Sequence, residues 1–256
     1  MTTDAAIASI LRPVPDWLTL NPDLDLEQAA VSLSRTGRLH LPSFLAPEAA
    51  ERVHASLTGE SEWARSIVFQ DQPRDFDLGW LAGLTAEQRA IIDADVNARA
   101  RRGFQYSFDN YRLSSALTAR YRQGWAVESV YDLLNSAPFL QLIRRITGDE
   151  RAVYLDAQAT RYRPGHFLTL HTDDQPGQGR LYAYVLNFTK GWRADWGGLL
   201  AFVDGEGHVE QAWTPAFNAL NIFRVPMPHL VTPVSAFAGG DRLSITGWVR
   251  SVYDKV

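Results

Sequence analysis

The run Tyr162-Arg-Pro-Gly-His-Phe-Leu-Thr-Leu-His171-Thr-Asp173 decides the reading of this chain. Residues i and i+2 of a strand share a face, so on a strand over 167–173 both His171 and Asp173 point the same way. Asp174 then faces the opposite side and reads as a turn residue. A third group must come from a distant strand folded back alongside, and His229 stands 56 residues after the aspartate. Two neutral imidazoles and one carboxylate can occupy three adjacent positions of a ferrous ion and leave three open. Arg242 follows 13 residues later. It offers a permanent cation for the distal carboxylate of a diacid, with Ser244 two residues on along the same face.

Outward from this run the periodicity is two. Candidate strands cover 153–162, 167–173, 181–188, 198–203, 219–225 and 242–250. They are separated by Pro164-Gly165, Pro176-Gly177, Asp204-Gly205, Pro226 with Pro228, and Gly239-Gly240. Short strands at this spacing predict a mainly β protein with flanking α-helices, the core a double-stranded β-helix or jelly roll. The first 150 residues read as helical and mixed support within one domain spanning 1–256. The spacing predicts helices over 24–36, 46–57, 85–102 and 136–147, the last capped by Ser136 and stopped by Gly148. Short strands are expected at 38–42 and 104–108, an arm with one short helix over 1–22, and a loop over 70–83.

Composition narrows the function classes. The chain has 256 residues, 46% hydrophobic and 21% charged, and a net charge of −4. This is an ordinary globular balance with no basic footprint for nucleic acid and no polybasic membrane patch. No apolar run is long enough to span a bilayer, and the first residues lack the basic and apolar regions of a secretory signal. A cytoplasmic protein is the expectation. With no cysteine, thiolate metal sites are excluded and any metal is held by nitrogen and oxygen. No glutamate stands beside the histidines in the pattern of helical zinc hydrolases.

The motif strand, together with Tyr182-Ala-Tyr184-Val-Leu-Asn187, Trp196-Gly-Gly-Leu-Leu-Ala-Phe202, Pro228-His229-Leu-Val231 and Arg242-Leu-Ser244-Ile-Thr-Gly-Trp248, resembles the iron(II)/2-oxoglutarate-dependent oxygenases, in particular their prolyl-hydroxylase-like branch. The resemblance covers about residues 150–251. It implies Fe(II) held by His171, Asp173 and His229, with 2-oxoglutarate and O2 as co-substrates and ascorbate as an accessory reductant. It further implies hydroxylation of an unactivated C–H bond with release of succinate and CO2. The branch points to a prolyl residue in a protein or peptide. The alternatives are a free amino acid or small metabolite, or a catalytically silent cupin-like binding protein. Related halogenating enzymes carry a small residue where Asp173 stands, so the carboxylate favours hydroxylation.

Individual residues have plainer readings beside these. Arg242 either anchors the diacid or makes a surface ion pair, the commonest fate of an arginine. Tyr162 either lines the co-substrate pocket or packs in an aromatic core. The pocket tyrosine of many prolyl hydroxylases corresponds here to Val185. Tyr184 would point to the other face, which leaves Ser244 or Tyr182 as substitutes. His40, His54, His166 and His208 read as surface or satisfied core residues, and Arg99, Arg101 and Arg102 as a solvated helix face, with substrate contact as the alternative. Gly197-Gly198 reads as a close passage of backbone. Trp192 and Trp196 either wall the substrate mouth or pack at the rim.

Overall fold

The computed structural model describes residues 11–114 and 122–253. Residues 1–10 of the expected arm lie outside the described residues, and from Leu11 to Pro22 there is no helix. Leu20 makes a single bridge to Leu45. The described helices are α1 (Leu26–Thr36), α2 (Pro47–Gly59), α3 (Leu78–Ala82), α4 (Ala86–Ala100), α5 (Ala126–Leu134) and α6 (Ala137–Thr147). Their ends follow local chemistry. Asp25, Thr85 and Ser136 cap the first turns of α1, α4 and α6, and Gly37 and Gly148 close α1 and α6 in the left-handed conformation.

The strands are β1 (Arg38–Leu41), β2 (Ala64–Phe69), β3 (Gln72–Asp77), β4 (Tyr106–Arg112), β5 (Tyr154–Leu155), β6 (Gln158–Tyr162), β7 (Phe167–His171), β8 (Arg180–Asn187), β9 (Leu200–Val203), β10 (Val209–Trp213), β11 (Ala219–Arg224), β12 (His229–Val231) and β13 (Arg242–Arg250). They pair antiparallel in the order β1-β11-β8-β13-β6-β4-β7-β12-β9-β10, with the β2–β3 hairpin added at β4 and β5 at β13. β4 is the corner. Its residues 109–112 pair with β6, while Tyr106 and Ser107 pair with β7. The sheet thereby curls from a larger wall onto a smaller one, the jelly roll expected from the strand spacing.

β13 shows how the sequence divides the two faces of the larger wall. Leu243, Ile245 and Val249 pack against the helices in a buried core with Leu33, Phe44, Val53, Tyr131, Phe139 and Ile143. Arg242, Ser244, Thr246 and Trp248 alternate with them and turn toward the interior between the walls. A register slip of one residue would place Arg242 among the helices, so the burial of Leu243, Ile245 and Val249, on the order of 1.5–3 kcal/mol per side chain, fixes the face of the arginine.

Three expectations change here. Residues 70–83 are not a loop but the turn and second strand of the β2–β3 hairpin followed by α3. The turn residues Gln70 and Asp71 both have positive φ, 49° and 60°, the geometry of a tight hairpin usually announced by Asn-Gly. β3 is mostly exposed, so it carries no hydrophobic alternation; backbone pairing and Asp75, which accepts from Ser66, Asn110 and Arg112, hold it in place. The expected strand over 153–162 is two strands interrupted at Asp156 and Ala157. The expected strand over 167–173 stops at His171.

Candidate metal and diacid site

His171 ends β7 and His229 begins β12, and the two are direct partners in register. Their ring centroids lie 4.1 Å apart. Asp173 completes the group by a different route from strand alternation. It lies beyond β7 with φ of 63°, a left-handed conformation that costs a residue with a Cβ roughly 1–2 kcal/mol. The turn it makes aims its carboxylate between the rings. Oδ1 is 3.3 Å from His171 Nε2 and Oδ2 is 3.4 Å from His229 Nε2. Donors bound at ~2.1 Å on adjacent corners of one ion stand about 3 Å apart. Both carboxylate–imidazole separations approach that spacing, and one donor atom from each of the three residues lies within 4.8 Å of the others, a grouping that can hold a metal ion.

The tautomers fit as well. His171 Nδ1 lies 2.9 Å from the carbonyl of Thr169, and His229 Nδ1 lies 2.8 Å from the carbonyl of Met227. A carbonyl only accepts, so each Nδ1 carries the proton and each Nε2 presents a lone pair to the site. Burial and the neighbouring His171 push the His229 imidazole down to about 4, which keeps it in the neutral, ligating form. Burial alone would raise Asp173, but its contacts with the His171 and His229 imidazoles hold its carboxyl below the usual range.

Arg242 lies at the other end of the site, 2% exposed. Among the described residues no carboxylate lies within 4.0 Å of its guanidinium, and its Nε has no hydrogen-bond partner. Burial lowers its affinity for the proton, opposed by Tyr162. Its Cζ sits 4.8 Å from the centroid of the Tyr162 ring, and burial pushes the Tyr162 phenol up to about 12. The Gly197-Gly198 pair makes the close passage expected of it. A Cβ on Gly197 would meet the Pro233 carbonyl at 2.0 Å, and one on Gly198 would meet Arg242, Trp192 and Val234 at 3.2–3.3 Å. A buried cation with no fixed anion is costly, and a carboxylate-bearing ligand would offset that cost.

Ser244 is buried, its hydroxyl 2.8 Å from that of Thr160. Val185 faces the interior opposite Thr246, and Asn187, opposite Ser244, has a buried Oδ1 with no partner. Tyr184 points to the helix side as expected, donating to the Asp156 carbonyl at 2.8 Å. Tyr182 points there too, toward the Thr147 carbonyl at 3.4 Å, so it does not substitute for a pocket tyrosine.

Between and beyond these groups runs an open cavity of about 1050 Å³, walled by Val68 and Pro73 of the hairpin, Tyr106, Phe108, Arg180 and Trp248. Sequence reasoning missed Arg180, Trp248 and Thr160 as cavity residues. Trp248 and Thr160 share the face of Arg242 and Tyr162, whereas Arg180 has the parity of Tyr182 and reaches the cavity only past the register shift between Val249 and Arg250. At the mouth, Phe104 is 43% and Leu170 49% exposed, and the Phe104 ring lies 5.2 Å from that of His171. Arg99 is not a freely solvated helix residue: it pairs with Asp71 and lines the same cavity. Trp192 packs at the arginine end, with Trp196 edge-on against it at 5.3 Å, rather than at the mouth. His166 is a buried core residue with its proton affinity pushed down to about 3 by burial and the nearby Arg65.

Residues 157–250 match the family model described as 2OG-Fe(II) oxygenase superfamily. No curated protein matches the chain in sequence. Among solved structures, the chain resembles a prolyl-4-hydroxylase from Pseudomonas putida at 21% identity and TM-score 0.54, covering 88% of this chain and 98% of that one. A prolyl hydroxylase from Trichoplax adhaerens, solved with a hypoxia inducible factor peptide fragment, is similar at 18% identity and TM-score 0.55, with 88% and 89% covered. The non-heme alpha ketoglutarate dependent epimerase SnoN of nogalamycin biosynthesis is similar at 12% identity and TM-score 0.51, with 87% and 80% covered. These likenesses describe the fold.

Proposed function

We propose that the chain, whose residues 157–250 match the 2OG-Fe(II) oxygenase superfamily model, is a hydroxylase of that superfamily whose metal is held by His171, Asp173 and His229 and whose 2-oxoglutarate is anchored by Arg242. The observation that carries this reading is the pairing of a three-donor cluster with a buried, carboxylate-free arginine in one cavity. Fe(II) with 2-oxoglutarate and O2 supplies the oxidising power, releasing succinate and CO2 as the substrate C–H bond becomes C–OH. The chain's own residues bind and orient. The two imidazoles and the carboxylate hold one side of the ion, and the guanidinium pairs with the distal carboxylate of the diacid in a place closed to water. Tyr162 lies against that guanidinium, and Ser244 and Thr160 form the polar floor between the two ends. The first 150 residues belong to the same catalytic domain: α1, α2, α5 and α6 cover the outer face of the wall that carries Arg242, and β2, β3 and β4 contribute to the wall of the cavity.

The proposed substrate is a prolyl residue in a polypeptide. The cavity is wide and open, its mouth carries the exposed Phe104 and Leu170, and the β2–β3 hairpin forms one wall. Such a rim suits an extended chain passing over the metal end better than a small molecule sealed within. Among the described residues no helix is long and apolar enough to cross a membrane; we place the enzyme in the cytoplasm. Iron-dependent release of succinate from 2-oxoglutarate tests the class and separates it from a silent binding protein. A peptide library read for a 16 Da gain tests the substrate. Uncoupled 2-oxoglutarate turnover should rise several-fold with the correct polypeptide; stimulation by a free amino acid and by no peptide would overturn the substrate assignment.

A further inference from the structure

Of the three residues in the metal cluster, Asp173 alone has a left-handed backbone, φ 63°, which a residue with a Cβ adopts only under constraint. Its peptide carbonyl accepts a hydrogen bond from Arg180 Nη1 at 3.1 Å. Arg180 opens β8 on the far side of the 174–179 turn, and its Cζ lies 3.5 Å from the centroid of the Trp248 ring. Trp248 is itself fixed. Its backbone N–H donates to Asp156 Oδ1 at 2.7 Å, and Asp156 Oδ2 accepts from Arg250 Nη1 at 3.0 Å. Gly247 approaches Asp156 so closely that a Cβ would stand 2.1 Å from its carbonyl oxygen. Arg250 also donates to the Gln178 carbonyl at 3.0 Å and to its side-chain oxygen at 2.8 Å, and Ser251 N–H donates to the Gly179 carbonyl at 2.8 Å. Both ends of the turn that follows Asp173 are therefore tied to the end of β13.

We propose that Arg180, stacked on Trp248, is a positioning residue that locks the left-handed turn of Asp173 and so sets the geometry and affinity of the metal site. This rests on the reading of His171, Asp173 and His229 as metal ligands. The planar guanidinium is required for both contacts at once: one N–H reaches the carbonyl while the face lies on the indole. A lysine can donate to the carbonyl but cannot stack as a plane.

The test is titration of the metal-free protein with Mn(II), which avoids iron oxidation, alongside the visible spectrum of the Co(II)-loaded protein. Loss of a partner that orients a ligand weakens metal binding by about 10–100-fold, so Arg180→Ala should raise the Mn(II) dissociation constant by that factor and shift the Co(II) ligand-field bands. Its metal-free melting temperature should stay within a few degrees of wild type, because the constraint acts on one turn. Arg180→Lys should fall between the two, and Trp248→Phe, which keeps an aromatic face, should lose less than Trp248→Ala. These conservative variants carry the test should Arg180→Ala fail to fold. Mn(II) affinity within twofold of wild type and an unchanged Co(II) spectrum in Arg180→Ala would overturn the positioning role while leaving the ligand assignment intact. A wild-type protein that takes up no Mn(II), or a His171→Ala variant that binds it normally, would overturn the metal site and this inference with it.

Discussion

The two ends of the cavity are built by opposite means. At the metal end each histidine is oriented by a carbonyl two residues earlier in the chain, and the aspartate by the turn that follows β7. The His171 side chain remains 15% exposed, beside the uncovered Phe104. At the arginine end nothing local suffices. Arg242 is enclosed by Tyr162 of β6, Val234 after β12, and Gly198 and Trp192 of the loop between β8 and β9. The contrast follows from what each end has to do. On the proposed reading the metal end must admit a substrate, and its geometry comes from individual hydrogen bonds, local for the two histidines and reaching across the sheet through Arg180 for Asp173, that survive partial solvation. The arginine end must make one ion pair count, which requires the exclusion of water by packing.

The largest expected effect lies at the metal end. His171→Ala, Asp173→Ala or His229→Ala should each abolish iron-dependent 2-oxoglutarate turnover while the protein stays folded, because the cluster contributes little packing and much coordination. Turnover assays with circular dichroism as the folding control check this. Full turnover in His229→Ala would remove that residue from the ligand set.

The next effect concerns acid. In the folded metal-free protein His229 stays neutral down to about pH 4, whereas an unfolded histidine takes up its proton near 6.5. Between these values the unfolded state binds more protons, so stability falls as pH drops through that window and is unaffected above it. At about 1.4 kcal/mol per pH unit the loss from this residue is roughly 3 kcal/mol. His166, held down to about 3, extends the same trend to lower pH. Urea denaturation at pH 7.5, 6 and 5 measures it, with His229→Gln expected to flatten the slope; a wild-type profile level from 7.5 to 5 would contradict the burial argument.

At the arginine end, losing a charged hydrogen-bonding partner costs about 1.5–3 kcal/mol, or roughly 10- to 150-fold in affinity. Arg242→Ala should weaken 2-oxoglutarate binding by that factor and leave metal binding in place. Arg242→Lys should recover part of it, lacking the planar fork. Calorimetric titration of the Mn(II)-loaded variants reads both numbers. Unchanged 2-oxoglutarate affinity in Arg242→Ala would mean that another cation holds the diacid.

The same contrast explains what could be read from the sequence. Strand spacing and caps announced the jelly roll, α1, α4 and α6, because those signals sit within a few residues of the elements they define. His171, Asp173 and His229 were legible as a chemical set, yet the way Asp173 joins the two histidines was not. A regular strand would have carried it to Asp173 by alternation, whereas the chain leaves the sheet at His171 and turns. The β2–β3 hairpin was invisible because Gln72-Pro-Arg-Asp-Phe-Asp77 has no apolar face, and its turn uses Gln70-Asp71. Tyr182 was offered as a pocket residue although its parity in β8 matches Tyr184, so the face could have been decided from the sequence alone. The wall around Arg242 could not, since Trp192 and Val234 meet it only through the curl of the sheet.

The smallest effect separates a direct anchor from a supporting floor. Ser244 lies two residues from Arg242 on the same face, but its hydroxyl is already engaged with Thr160 at 2.8 Å in a site closed to solvent. If it serves as floor, Ser244→Ala removes one buried hydrogen bond and costs about 0.5–1.5 kcal/mol of stability, with 2-oxoglutarate affinity falling less than tenfold. Thr160→Val should give a similar loss, and the double variant should cost less than the sum of the two, because each single change already breaks the shared bond. Denaturation midpoints of the four proteins give the coupling, and titration gives the affinity. Should Ser244→Ala weaken 2-oxoglutarate as much as Arg242→Ala does, the hydroxyl turns from Thr160 to the diacid on binding. The arginine end would then depend on a moving partner rather than on packing alone.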